Sequence, residues 1–415
     1  MSAAAVDVRD DDAILGVRPR VAYAPASVDE CAEVMALTAR ERMKIGFIGG
    51  RTEMALGAPP RALDAVVRTE RLARILEHVP ADMVVVAEAG VTLAALQAAL
   101  AAHGQQLAID PPLPERATIG GLVATGGFGP RRARYGTMRD LIIGVTLVRA
   151  DGTVARGGGK VVKNVAGFDL PKVACGSLGT LGMIATASFR LHPLPEVSTT
   201  VLVPAITADA VVATVAAARA AQLEPTSAVA LSAPDGRFDL ALRFEGFRGG
   251  VDQQVSRMVE LARAAGAAPN AAASATSTAA PQPLSGDAAA AFWRRHDAVR
   301  TAAALRVRFA DLPTRFPAIA AGLSKLGDVA WYATLGIGFA GGAVTDPTAA
   351  TTAISAARTQ LVAGGGSLVV ETAPAELRAI DPWGPPPGSF AIMKQLKQRF
   401  DPDGRLNPGR FVGEL

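Results

Sequence analysis

Cysteine is almost missing from this chain. Cys31 and Cys175 are the only two in 415 residues, and they cannot supply the roughly four thiolate or imidazole ligands that a zinc site or an iron–sulfur cluster draws on. Histidine is nearly as scarce. His78, His103, His192 and His296 form no His-x-x-His or His-Glu-x-x-His spacing, which argues against a metallohydrolase; no metal site is expected. Charged residues make up 19% of the chain, below the roughly 25% of typical soluble proteins, so disorder by charge repulsion is excluded for the chain as a whole. The net charge is only +4 and no long Lys/Arg run occurs, so nucleic acid is not an expected partner. The most apolar stretch, 83–102, is interrupted by Glu88, Gly90 and Gln97, which excludes a transmembrane segment. The start of the chain, with Asp7, Asp10, Asp11 and Asp12, has neither the basic nor the apolar region of a secretory signal, and a cytoplasmic location is expected.

Glycine and proline are abundant instead, at 42 and 28 residues. They point to many tight turns and make a helical bundle a poor fit. Apolar residues recur at helical spacing over 28–42 (Cys31, Val34, Met35), with Ser27 as N-cap and Glu30 three residues on, a capping box. A short apolar strand, 44–48, then runs into Gly49-Gly50-Arg51-Thr52, a place where backbone N–H groups can face an anion. Strands follow at 62–67 and 83–87, then a helix over 93–103 closed by Gly104. Pro111, Pro112 and Pro114 force an extended loop before the glycine-dense stretch Thr118 to Pro130. Residues 142–150 and 153–156 read as a hairpin turning at Asp151-Gly152. A third glycine cluster, Gly176 to Gly182, opens a strand over 183–191.

Pro193 and Pro195 close a first domain, 1–196. Over 197–385 strands and helices recur in two similar halves, an α+β arrangement of helices on a sheet, with the Ala/Ser/Thr/Pro tract 267–291 as a linker. The tail, 386–415, ends in prolines and glycines that preclude a long helix there.

Three motif matches fail on context. Gly336-Ile337-Gly338-Phe339-Ala340-Gly341 fits the dinucleotide pattern, but Gly342 and Asp346-Pro347 intervene before any helix and no acid lies near position 361; it reads as a glycine-rich strand or turn. Gly157-Gly158-Gly159-Lys160 lacks both the first P-loop glycine, Val154 standing there, and the hydroxyl, Val161 standing there. Cys175-Gly176-Ser177-Leu178-Gly179 lacks the first glycine of a nucleophile elbow.

The three remaining glycine clusters are each explained singly by a turn-rich β structure without a ligand. Jointly, beside an extended proline loop, they suit a long ligand with a diphosphate and two ring systems, because donors fixed by the fold hold a diphosphate without loss of side-chain entropy. The segments Gly49-Gly50-Arg51-Thr52, Ala117 to Gly121, Gly129-Pro130-Arg131 with Arg134-Tyr135-Gly136, Lys163 to Leu170, Gly176 to Gly182 and Asn407-Pro408-Gly409 resemble the FAD-binding flavoproteins of the vanillyl-alcohol oxidase (PCMH-type) fold. The likeness runs across roughly residues 20–196, and the closing motif is similar to that of the 2-hydroxyacid dehydrogenase branch. Leu178 where relatives have Glu, Trp383-Gly384-Pro385 and Phe400-Asp401-Pro402 resemble, within that branch, the FAD-binding (E) subunits of bacterial glycolate oxidase.

The resemblance implies an α+β fold: a two-subdomain PCMH-type FAD-binding domain, an α+β cap domain with an antiparallel sheet, and a C-terminal tail returning to the FAD domain. It implies FAD held noncovalently, since the first loop has no histidine and neither cysteine falls in an attachment motif. Gly49, Gly50, Arg51, Thr52, Glu53 and Met54 would form the first diphosphate loop, with Arg51 standing where many relatives carry glycine. Thr118, Ile119, Gly120 and Gly121, with Thr125, Gly126 and Gly127, would form the second, and Pro111 would lie beside the cofactor. Gly182 and Ile184 would touch the flavin or its ribityl chain, and Asn407 would close over the ring. Catalytic residues are not identified. Full-length relatives carry a His-rich segment in the second domain, which is missing here, and His296, the one histidine there, is expected at a solvated helix position. Arg131, Arg132 and Arg410 are candidates for a carboxylate, an FAD phosphate or a subunit contact. The implied role is the FAD-binding subunit of a complex oxidising a small 2-hydroxy acid. A sister FAD-binding subunit would supply the histidine-bearing substrate site and an iron–sulfur subunit would carry electrons onward, with peripheral attachment to the inner face of the membrane through the complex as one option. A self-sufficient FAD-dependent 2-hydroxyacid dehydrogenase and a flavin-free scaffold are the alternatives.

Overall fold

Short strands build two larger sheets, rich in β-branched residues, and a two-stranded one in the first of the two units into which the computed structural model divides: Met1–Gly129, Gly136–Leu194 and Pro385–Leu415 form one unit, Pro130–Tyr135 and Pro195–Gly384 the other. The structure describes residues 5–160, 168–266, 280–301 and 303–415; most of the segment from Lys163 to Leu170 and the tract 267–279 lie outside them.

In the first unit, β1 (Ala5–Val6), β2 (Val21–Tyr23), β3 (Ile45–Ile48) and β4 (Ala65–Arg68) form a sheet in the order β1-β2-β4-β3. The strands β2, β4 and β3 run parallel and β1 antiparallel to β2. Parallel strands need crossover connections, and the helix Val28–Arg40 makes the one from β2 to β3, with β4 seated between them. Its capping box is closed: Glu30 N–H donates to Ser27 Oγ at 3.1 Å and Ala26 N–H to Glu30 Oε2 at 2.9 Å. The helix buries Cys31, Val34 and Met35 against Ile45, Ala65 and Val67.

The second sheet of this unit is antiparallel. It contains β5 (Ile75–Val79), β6 (Val84–Glu88), β8 (Ile142–Val148), β9 (Val154–Gly158) and β10 (Met183–Arg190), in the order β5-β6-β10-β8-β9, while β7 (Gln105–Gln106) pairs with β11 (His192–Pro193). The β8–β9 hairpin turns at Asp151-Gly152, where Gly152 has φ 87°, a left-handed value that favours glycine. The helices Leu93–Ala101 and Ile119–Thr125 bury Leu93, Leu96, Ile119 and Leu122 in one core with Val85, Ala87 and Phe189. The chain's end belongs to this unit. The helix Phe390–Phe400 stops at Asp401-Pro402, so the prolines and glycines limit it to eleven residues rather than abolishing it. Beyond it Leu406 bridges to Ile45 of β3.

The second unit carries an eight-stranded antiparallel sheet of β12 (Val197–Ile206), β13 (Ser227–Ser232), β14 (Phe238–Gly246), β15 (Gln282–Leu284), β16 (Leu305–Ala310), β17 (Asp328–Tyr332), β18 (Ile337–Gly342) and β19 (Ser367–Thr372). Its order is β15-β12-β14-β13-β17-β18-β16-β19. Alternate residues Leu240, Leu242, Phe244, Val307, Phe309 and Trp331 join the helices Ala208–Ala220, Phe316–Leu323 and Pro347–Ala363 in the unit's core. The two-residue period of a strand sends their neighbours to the opposite face, where Tyr332 meets the helix Gly286–Thr301 through His296. The α+β class with an antiparallel second sheet is therefore what the sequence implied. The dinucleotide-like run 336–341 is mostly strand β18, paired with β16 and β17.

Several expectations need correction. Strand β13 was not foreseen. Residues 282–284 are strand and Gly286–Thr301 is helix, so the end of the expected linker is regular structure. Among the described residues no helix is long and apolar enough to cross a membrane.

Candidate cofactor cleft

The carboxyl end of β3 delivers Gly49 and Gly50 into a space where side chains do not fit. A Cβ on Gly50 would lie 1.6 Å from the Arg116 carbonyl oxygen, and one on Gly49 2.4 Å from Thr118 Oγ1. The first glycine loop thus packs backbone to backbone on the second, and Gly50 N–H donates to Thr118 Oγ1 at 3.4 Å. Thr118 is the N-cap residue of the helix Ile119–Thr125, and Gly120 lies against Ala89 so closely that a Cβ would sit 2.7 Å from that methyl group.

These loops wall an open cleft whose empty space, mouth and adjoining solvent included, is about 730 Å³. Gly49, Gly50, Arg51, Thr52, Glu53, Met54, Thr118, Gly120, Gly121, Thr125, Gly182, Ile184 and Asn407 all line it. Four residues anticipated from the sequence do not. Ile119 is wholly buried in the core, Pro111 is buried, Gly126 ends its helix at φ 66°, and Gly127 packs against Leu122. The lining also includes Phe47, Ile48, Thr69, Leu178, Gly179, Met183 and Arg410. Phe47 and Ile48 adjoin the first glycine pair and Leu178-Gly179 sit within the third cluster, so position beside glycine was the available signal; Thr69 carried none.

Asn407 is the most informative wall residue. Its backbone N–H donates to the Ile45 carbonyl at 2.8 Å and its Nδ2 to the Leu178 carbonyl at 2.7 Å, at φ 45°. Its Oδ1 is buried without a hydrogen-bond partner. An acceptor stranded in this way costs about 1–3 kcal/mol. A buried cation fixes this region. Lys397 Nζ donates to Asp401 Oδ2 at 2.7 Å and to the Thr180 and Leu406 carbonyls, both at 2.9 Å, tying the third glycine cluster to the strand end that carries Asn407. Burial lowers the Lys397 pKa, and the Asp401 carboxylate opposes that shift.

The arginines have structural partners. Arg410 Nη2 donates to the Met54 and Leu56 carbonyls, both at 2.7 Å, and burial lowers its pKa to about 10, leaving it cationic at neutral pH. Arg51, at φ 60°, pairs through Nε with Asp11 Oδ2 at 3.0 Å and through Nη2 with Asp12 Oδ1 at 3.2 Å. In the second unit, Arg131 pairs with Glu245 at 3.0 Å and its guanidinium lies 4.9 Å from the Tyr135 ring centre.

The second unit's histidine also departs from expectation. His296 is 1% exposed, not solvated. Its Nδ1 faces Asp297 Oδ1 at 2.9 Å and its Nε2 faces Tyr332 Oη at 2.8 Å. Arg300 Nη1 donates to the same hydroxyl at 3.3 Å. Burial pushes the His296 pKa below its usual value, against the partial support of Asp297. Both cysteine thiols are raised to about 12 by burial, so neither is a thiolate near neutrality. Among the described residues no cluster of His, Cys, Asp or Glu could hold a metal.

The cleft fits FAD on its own terms: a wall of main-chain glycines suits a diphosphate, and apolar side chains such as Phe47, Met54 and Ile184 suit ring systems. Comparison with known proteins agrees. Residues 19–158 match the family described as FAD binding domain. The glycolate oxidase subunit GlcE of Escherichia coli is 38% identical over 151 residues, 36% of this chain and 43% of that protein. A D-lactate dehydrogenase of Archaeoglobus fulgidus is 35% identical over 187 residues (44% and 41%), and the glycolate oxidase subunit GlcD of Bacillus subtilis 32% over 216 (52% and 46%). The chain thus spans less than half the length of these relatives. Among solved structures, an alkyldihydroxyacetonephosphate synthase superposes with a TM-score of 0.68 at 17% identity, covering 95% of this chain and 78% of that one, a likeness of fold.

Proposed function

We propose that this chain, an FAD-binding protein of the glycolate oxidase type, serves as the FAD-binding subunit of a complex that oxidises small 2-hydroxy acids, such as glycolate, and passes the electrons to an iron–sulfur partner. When bound, FAD supplies a two-electron acceptor for the hydride of such a substrate. The chain's own residues bind and orient it. The backbone of Gly49–Thr52 and of Thr118–Gly121 would hold the diphosphate, Phe47, Met54, Leu178 and Ile184 would keep water from the rings, and Asn407 would close the wall beside them. The observation that carries the cofactor assignment is the cleft walled by two glycine loops that pack on each other too closely for side chains.

The subunit role is supported by what the second unit offers for proton transfer. Oxidising a 2-hydroxy acid calls for a base within reach of the hydroxyl proton. His296 is the only histidine between residues 195 and 384, and both its ring nitrogens already face Asp297 and Tyr332. A sister flavoprotein subunit would supply that base, and the complex would reside in the cytoplasm, reaching a membrane surface only through its partners. The test is anaerobic spectroscopy of the isolated chain. It should purify yellow, bleach with dithionite, stay oxidised with glycolate or D-lactate, and bleach with either acid once its partner subunits are copurified. Bleaching of the isolated chain by a hydroxy acid would establish a self-sufficient dehydrogenase instead, and a well-folded chain that takes up no FAD would leave only a scaffold role.

A further inference from the structure

Arg51 stands in the first glycine loop in a left-handed conformation that a side chain rarely adopts. Something outside the loop must hold it there. Its guanidinium is gripped by two consecutive carboxylates of the N-terminal segment, Asp11 at 3.0 Å and Asp12 at 3.2 Å, and Nε also donates to the Asp11 carbonyl at 3.2 Å. Asp12 is completely buried. Its other oxygen accepts the Arg9 backbone N–H at 2.8 Å and lies 3.7 Å from Arg68 Nη1. Arg68, itself 2% exposed, donates to the Asp7 carbonyl at 3.0 Å, and Arg9 forks onto Glu70 at 2.7 and 3.0 Å. Beneath these charges Ile14 packs with Ile48 and Val66, and Met54 of the loop joins the same cluster.

We propose that residues 5–17 form a strap that sets the first phosphate-binding loop through the Arg51 guanidinium, making Arg51 a positioning residue for cofactor affinity. This rests on the FAD reading of the cleft. With its Nε and Nη2 engaged by carboxylates, Arg51 acts by fixing the backbone from Gly49 to Met54 ahead of binding. A loop ordered beforehand loses less conformational freedom when the ligand arrives. The rival role, direct neutralisation of a phosphate by Arg51, predicts the opposite response to losing Asp12, since a freed guanidinium would bind the anion better.

The experiment is FAD titration of the apoprotein by quenching of flavin fluorescence, with amide exchange of residues 49–54 measured on the same apoproteins. Asp12→Asn and Arg51→Gly should each weaken FAD binding about tenfold or more and speed exchange across 49–54. The double variant should be no weaker than the worse single one, as for two groups acting through one contact. Glycine relieves the strain at position 51, so lost affinity there reads the guanidinium rather than the backbone. Arg51→Lys, which keeps the charge but not the fork, should recover part of the affinity. If Asp12→Asn unfolds the unit, Asp11→Asn, at a half-exposed carboxylate, takes its place and should weaken binding in the same sense. Binding by Asp12→Asn as tight as or tighter than the wild type, or Arg51→Gly binding like the wild type, overturns the strap. Wild-type protein that takes up no FAD overturns the cofactor reading and the affinity claim with it.

Discussion

The cleft of the first unit and the polar face of the second unit's sheet bury comparable chemistry in opposite ways. On the sheet face, His296, Asp297, Tyr332 and Arg300 use one another as partners, and Arg243 and Arg300 cover the rings of Trp293 and Phe339 at 3.7 and 4.4 Å. In the cleft, two loops meet backbone to backbone where Gly49, Gly50 and Gly120 admit no Cβ, and the space beside them stays open. Polar side chains that close on each other specify a fold; a cleft kept open between glycine loops leaves room for a ligand. This difference, rather than the presence of titratable residues, is why the first unit is read as the binding site and His296 is not read as a catalytic base.

The comparison breaks most readily at glycine. Gly50→Ala places a methyl group where the Arg116 carbonyl oxygen already is, 1.6 Å away, whereas Gly236 of the second unit has φ 77° and open space around its would-be Cβ. We expect Gly50→Ala to lose FAD affinity by on the order of 100-fold or more, about 2.7 kcal/mol. Gly236→Ala should cost about 1–2 kcal/mol of stability for the left-handed backbone alone and leave FAD binding intact. Flavin absorbance of the purified variants reads the first effect. Emission from Trp293, Trp331 and Trp383, all in the second unit, reads the second. Full FAD occupancy in Gly50→Ala would show that the two glycine loops do not form the wall described here.

His296 provides a smaller test of the opposite region. Burial holds its folded pKa below the ordinary imidazole value of 6.5, so in the interval between the two values the unfolded chain binds the extra proton. Stability is therefore fully present above about pH 6.5 and is lost as pH falls toward the folded value, at no more than about 1.4 kcal/mol per pH unit. Denaturant unfolding followed by tryptophan emission at pH 7, 6 and 5 should show this decline. In His296→Gln, which keeps polar atoms but cannot titrate, the curve should be flatter by that amount. An unchanged slope in the variant would mean that the histidine is not sealed within its cluster.

These two regions were not equally legible in the sequence. Local rules carried far: the Ser27–Glu30 box and the Asp151-Gly152 turn are both decided by residues within a few positions of one another. Glycine density also marked both loops of the cleft, because backbone approach leaves a compositional trace. Thr69 left no such trace, since it reaches the lining from the far end of β4. Strand β13, Ser-Ala-Val-Ala-Leu-Ser over 227–232, is buried on both faces in mid-sheet, and without polar alternation it offers no period to read. The run of alanines over 288–291 suggested low complexity, yet alanine is the strongest helix former, and there it begins the helix that buries His296. That histidine sits among Arg294, Arg295 and Asp297, and only the sheet it packs on shows that it faces inward.

The finest distinction concerns a polar pair inside the first unit that closes on itself. Thr186 Oγ1 donates to Thr146 Oγ1 at 2.8 Å, with both residues largely buried on neighbouring strands β10 and β8. If polar groups that close on each other have no part in a ligand wall, this pair should behave like the second unit's cluster and have no bearing on the cofactor. Thr186→Val strands the Thr146 hydroxyl and should cost about 1–3 kcal/mol, whereas replacing both by valine removes donor and acceptor together and should be close to neutral. FAD affinity should be the same in all three proteins. A double variant as unstable as the single one would mean that the hydroxyls serve some third group, and a change in affinity would extend the binding wall to the middle of the sheet.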